Sequence, residues 1–162
     1  MGYTHYVTRP RKNSGSAYMY GKLALDAKKL CDYANANGIR IRNGNGEGEP
    51  EFTEGHFAIN GDGEASTHGG QDLTHETLYW AGIPAAPEWR KDASEYFDFC
   101  KTAMKPYDAV VTAILIRAKT IYGSCVSISS DGGWSDWNEG RNLYEAVFGE
   151  AAECPFDKAN VQ

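Results

Sequence analysis

The sequence predicts an α+β protein: a mixed sheet of about six strands with three helices packed on it, in the order β-α-β-β-β-β-α-β-α. Three observations carry this. Apolar residues recur at helical spacing in three segments, 16–35, 106–122 and 137–149. Short runs rich in aromatic and β-branched residues lie between them. Glycine and proline clusters separate each run from the next.

The first strand is YTHYVTR, 3–9, ended by Pro10. After the polar loop RKNSG, a helix from Ser16 to about Asn35 places Tyr20, Leu23, Ala24, Ala27, Leu30 and Cys31 on one stripe. Gly38 suits its C-terminal stop. IRIR, 39–42, alternates as a strand with Ile39 and Ile41 inward. NGNGEGEPEFTEG, 43–55, is a solvated acidic loop: it lacks the phosphate-loop order, and Glu47, Glu49, Glu51 and Glu54 would repel a phosphate. HFAING (56–61), LTHETLYW (73–80) and EYFDFCKT (95–102) read as strands, the last with Phe97 and Phe99 on one face. Pro106 opens the second helix, where its missing N–H costs nothing, and Asp108 favours the positive end of the helix dipole. Val110, Val111, Ile114, Leu115, Ala118 and Ile121 form its buried stripe, closed by Gly123. CVSIS is a further strand, DGGWSD a turn, and 137–149 the last helix. The domain spans 1–150, and 151–162 reads as a loose tail.

A chain of 162 residues with 41% hydrophobic and 23% charged residues can bury one real core. A net charge of −6 argues against binding duplex nucleic acid, which needs a basic face. No apolar run suits a membrane span, and the N-terminus has no signal-peptide core, so a cytoplasmic protein without a membrane partner is expected. Cys31, Cys100, Cys125 and Cys154 are scattered and read as free thiols. His5, His56, His68 and His75 show no metal-ligand spacing, and no metal or other cofactor is expected. His75-Glu76-Thr77 has one H-x-T spacing of the kind that phosphodiesterases pair, without a second copy.

The richest stretch is CKTAMKPYD, 100–108. Lys101, Thr102 and Lys105 at a strand-to-helix join fit a compact anion seat, since free N–H groups at a helix start favour negative charge. They fit equally an ordinary turn with both lysines in water. Cys100 beside Lys101 has one attribute of a nucleophile, although burial suits it better. In SISSDGGW, 127–134, Trp134 and Trp137 suit either base stacking or the core edge.

GYTHY at the N-terminus, Asn60-Gly61 followed by Glu76-Thr77, and above all CKTAMKPYD resemble a family of small bacteriophage and bacterial proteins. Those proteins typically begin Gly-Tyr-Thr-His-Tyr-Trp and carry Cys-Lys-Thr…Lys-Pro-Tyr-Asp. The resemblance runs through most of the chain in order. Val7 stands where tryptophan is usual, Ile59 where phenylalanine is usual, and Met104 often where the family has a basic residue. The resemblance implies a phage context and no mechanism. It adds Tyr3, His5 and Tyr107 to Lys101, Thr102 and Lys105 as candidate ligand-binding residues.

The reading leans to a small binding protein over an enzyme, one sequestering an anionic nucleotide-like signal of host defence, and leaves the enzyme question open. A homo-oligomer is left open. One alternative is a phosphodiesterase or other hydrolase using His5 or His75 with Lys101. Another is a protein that inhibits a host enzyme through its acidic face.

Overall fold

The computed structural model describes residues 2–157. Its elements are β1 (Thr4–Pro10), α1 (Ala17–Ala36), β2 (Glu51–Phe52), β3 (His56–Ile59), β4 (Leu78–Ala81), β5 (Glu95–Lys101), α2 (Asp108–Tyr122), β6 (Ser127–Ser130) and α3 (Asn138–Phe148). Class, the three helices and the succession of element types agree with the sequence reading, but the third place is held by Glu51–Phe52, inside the expected loop 43–55, and not by 39–42.

The strands form two antiparallel sheets rather than one mixed sheet, in the orders β5-β1-β6 and β2-β3-β4. Every pairing of named strands is antiparallel. The second sheet is a local antiparallel meander, β2 and β3 joined by the short turn 53–55 and β3 and β4 by the loop 60–77, so no crossover enforces a parallel pair. IRIR is not a strand. The Ile39 N–H caps α1 at the Ala34 carbonyl, and the Ile41 N–H bonds the Asn35 side chain. Arg42 alone pairs with the sheet, opposite Asn60.

Ser16 caps α1, its hydroxyl accepting from Met19 N–H. The predicted stripe is buried except for the half-buried Ala24, is extended by Ala34, and also contains Asp26. Asp26 is satisfied by Arg117 of α2 at 2.7 Å and by Lys22 at 3.3 Å. Arg117 continues to Tyr144 and Glu150, so one guanidinium joins all three helices. α2 is buried nearly all round, as a central helix must be. α1, α3 and β6 pack against it.

α3 approaches α2 closely at Gly140, where a Cβ would overlap the Thr112 hydroxyl. The segment 151–157 is not loose. Phe156 is buried, bridges to Ile128 in parallel and packs its ring edge-on against Trp137. An aromatic residue placed to close the apolar end of β6 outweighs the polar look of the surrounding tail. Residues 158–162 of the expected tail lie outside the described residues.

The close α2–α3 approach gives a direct test. Gly140→Ala should lower unfolding free energy by about 2 kcal/mol in urea titration, since overpacking typically costs 1–3 kcal/mol.

Candidate functional site

β1 is the central strand of its sheet, and alternation points His5, Val7 and Arg9 inward. His5 is fully buried. Its Nε2 lies 2.7 Å from Asp108 Oδ1 and its Nδ1 2.9 Å from Ser130 Oγ. Asp108 also accepts from the Thr102 hydroxyl at 2.6 Å. Tyr3 and Trp137 meet the imidazole at right angles, with centroids 5.0 and 5.1 Å away. The sequence order hides this line of serine, histidine and aspartate, because its members lie on β6, β1 and α2.

The line has the parts of a nucleophilic triad without its freedom. The Trp137 indole N–H and the Gly132 N–H both donate to Ser130 Oγ, at 3.3 and 3.1 Å. Two accepted bonds fill the hydroxyl lone pairs, and its proton serves His5 Nδ1. Nε2–H then donates to the Asp108 carboxylate. A hydroxyl held this way ties β1 to the turn after β6, and attack would require it to give up two donors. The Tyr3 hydroxyl, beside Gly132, is buried without a partner. Burial first, and the Asp108 charge second, push its pKa up to about 12.

The six sequence candidates do not form one seat. His5, Thr102 and Tyr107 are interior, and Thr102 faces Asp108 rather than solvent. Tyr107 donates to the Glu76 carbonyl at 2.6 Å. Lys105 Nζ donates to the Asp72 carbonyl, whereas the end of the Lys101 side chain lies beside Gly2. The amides of the turn are occupied as well. Those of Thr102 and Ala103 reach the Tyr3 carbonyl, that of Met104 the Thr102 hydroxyl, and that of Lys105 the Thr102 carbonyl. Cys100 is buried, its thiol donating to the Glu76 carbonyl, and burial pushes its pKa up, which removes thiolate character. His75 meets the Lys101 carbonyl through Nδ1. Trp137 is core, and Trp134 lies under Arg141 and against Phe156.

The residues that carry the resemblance build a seam between the two sheets. Glu76 N–H donates to the Lys101 carbonyl at 3.1 Å, and Lys101 N–H to the Glu76 carboxylate at 2.8 Å. The Asn60 side chain brackets the backbone of His75, accepting from its N–H and donating to its carbonyl. At the far end Arg9 reaches from β1 to the carbonyls of Ala81 and Gly82.

Between these stitches the sheets stand apart. A cleft of about 210 Å3 opens there, floored by Val7, Leu78, Cys100 and Leu115, with Tyr79, Phe97, Phe99 and Ile83 among its walls. β4 and β5 are each the edge of their own sheet. Asp98 lies on the inward side of β5, between Tyr96 and Cys100, and lines the cleft. Its carboxylate accepts one bond, from Phe99 N–H at 2.8 Å, and no ion pair among the described residues. Its side chain is exposed to solvent, and partial desolvation by its neighbours, with the Glu76 charge in addition, raises its pKa. Sequence reading passed over Asp98. The available signal was a carboxylate at an inward position of the F-D-F-C strand.

No group of three or more His, Cys, Asp or Glu side chains is placed to hold a metal ion among the described residues. Comparisons with protein-family models, with curated proteins and with solved structures each returned no match.

Two predictions follow from the site chemistry. His5→Ala leaves Asp108 and Ser130 without their shared partner. It should cost about 3 kcal/mol or more in chemical denaturation, as removal of one member of a buried pair does. The raised Asp98 value means that the folded chain keeps this proton to higher pH than the unfolded chain. The penalty is absent below the ordinary aspartate range and sets in as pH rises through the raised value. Because Asp98 is exposed and solvent screens the effect, Asp98→Asn should raise the melting temperature only slightly at neutral pH, with the gain vanishing near ~pH 3, where both states are protonated.

Proposed function

We propose that this chain is a binding module that captures a small ligand in the cleft between β4 and β5 without transforming it. The observation that carries this is the cleft itself: an apolar floor, aromatic walls and one unpaired carboxylate, held open by hydrogen-bonded stitches at both ends. Such a pocket with few converging polar groups is what small-molecule sites generally look like. Sequestration of a signal of host defence, the role the phage resemblance suggests, requires tight capture and no chemistry. The aromatic walls suit a flat ring. Support for an anionic, nucleotide-like ligand is reduced to Lys101, because the amides and the Thr102 hydroxyl of the turn are engaged internally.

A hydrolase is the second reading, favoured by one observation, the Ser130–His5–Asp108 line. Against it stand the burial of His5 and the two N–H donors that hold Ser130 Oγ.

A thermal-shift screen separates these readings. It would use nucleotides, cyclic oligonucleotides, ADP-ribose-type compounds and aromatic amines, with chromatography of each compound afterwards. A ligand at 100 times its Kd should add roughly 2.7 kcal/mol of stability. The expected result is a shift with the compound recovered intact, lost when Ala85, which also lines the cleft, is enlarged in Ala85→Trp, and kept in Lys101→Ala. Loss in Lys101→Ala alone would return the site to the turn. Cleaved product, with Ser130 labelled by a fluorophosphonate probe, would make the chain a hydrolase.

A further inference from the structure

The class of ligand can be read from the cleft, on the premise that the cleft is the binding site. We infer that it takes an extended peptide segment of another protein, which adds to the free edge of β5 as a further strand.

The backbone of β5 carries the argument. In an antiparallel ladder alternate residues turn their N–H and carbonyl toward the paired strand, and the residues between turn theirs away. The bonds at both ends of β5 fix which are which. The Ser94 carbonyl accepts from Arg11 N–H, and Thr102 N–H donates to the Tyr3 carbonyl, so Tyr96, Asp98 and Cys100 face β1. Lys101 turns both its groups the other way, onto Glu76. By the same alternation Phe97 and Phe99 present theirs to the cleft. The Phe99 N–H is taken by the Asp98 carboxylate. The Phe97 N–H, its carbonyl and the Phe99 carbonyl have no partner among the described residues.

β4 offers less. Its Gly82 end pairs back to Gly55, so Tyr79 and Ala81 face the cleft, but Arg9 holds the Ala81 carbonyl. An added strand therefore pairs with β5 and continues the contact begun at Glu76 and Lys101. A row of open edge groups is a template for such pairing.

The side chains agree. Tyr79, Phe97 and Phe99 lie on the outward faces of their strands and are 47%, 44% and 50% exposed, and Ile83 at the mouth is 90% exposed. Contiguous exposed apolar surface marks an interaction site. Successive side chains of an added strand point to opposite faces. One set would reach the apolar floor of Val7, Leu78, Cys100 and Leu115. The other would lie between Tyr79 and the two phenylalanines, as cross-strand neighbours do. A flat ring on the floor would leave the Phe97 backbone and the outward rings unused. The partner segment is therefore apolar and β-branched at its centre, without proline there. Basic flanks suit the net charge of −6 better than acidic ones.

The test titrates three probes into the full chain while the amide signals of Leu78, Cys100 and Leu115 are followed by NMR. They are acetyl-Lys-Thr-Val-Ile-Val-Thr-Lys-amide, the same peptide with proline in place of isoleucine, and indole. The first peptide should shift these amides and slow hydrogen exchange of the Phe97 amide by about tenfold or more. The proline peptide should bind at least about tenfold more weakly, since proline removes a ladder donor. Shifts with indole and none with the peptide would overturn the peptide assignment while leaving the cleft as the site. Peptide shifts without slowed Phe97 exchange, or equal binding of the proline peptide, would overturn the added strand. Slow Phe97 exchange in the free chain that is lost on dilution would give the edge to a second copy and overturn the assignment to another protein. Shifts with none of the probes would overturn both the peptide and the cleft.

Discussion

The hydrogen bond between His5 and Asp108 holds the rest in place. It joins the central strand of one sheet to the first residue of the central helix at 2.7 Å. From Asp108 the network passes to Thr102 and so fixes the turn between β5 and α2. From His5 it passes to Ser130 and fixes the end of β6. A buried polar chain tolerates only arrangements that satisfy every member, so it specifies one packing of β1, β6 and α2. Apolar contacts alone would allow α2 to slide or rotate on the sheet.

The turn from Lys101 to Tyr107 shows what this arrangement demands. Ala103 and Met104 both have positive φ, 51° and 57°. A left-handed conformation costs a residue with a side chain roughly 1–2 kcal/mol. Two in succession persist because the reversed turn places Thr102 on Asp108 and turns its amides back onto the Tyr3 carbonyl. A phosphate-binding turn would instead present those amides outward. The lysines, the hydroxyl and the helix start are all present, but the handedness of two residues between them directs the donors inward.

The helices were legible because a 3.6-residue period over many positions averages out individual exceptions: the buried stripe of α1 follows it, while α2 is buried nearly all round. Strand identity was less legible. IRIR has the alternation of a strand, yet the end of α1 claims the N–H groups of Ile39 and Ile41 first. The two-residue strand Glu51–Phe52 carries too little pattern to be read. The polar motif residues misled in a different way. Threonine, asparagine and histidine are usually exposed, so their presence in one motif suggested a ligand. Here Thr102, Asn60 and His5 are buried because each satisfies backbone or side-chain partners across a seam. Which residues converge depends on tertiary placement, and the separation of 125 residues between His5 and Ser130 gives no local trace.

The seam also explains why a cleft exists at all. β4 and β5 approach at Glu76 and Lys101 as though to begin a ladder, and hydrogen bonding of strand edges would favour continuing it. Continuation is blocked from both sides. Arg9 occupies the Ala81 carbonyl, which a neighbouring strand would otherwise use. Closing the gap would also press the Asp98 carboxylate into apolar walls without a partner, at a desolvation cost that edge hydrogen bonds do not offset. A leucine at position 98 would remove that obstacle and let the sheets approach. Asp98 is exposed as the structure stands, so its cost falls on closing the cleft rather than on the open fold. Conflict between local stability and the remaining structure is expected where a surface is kept for a ligand.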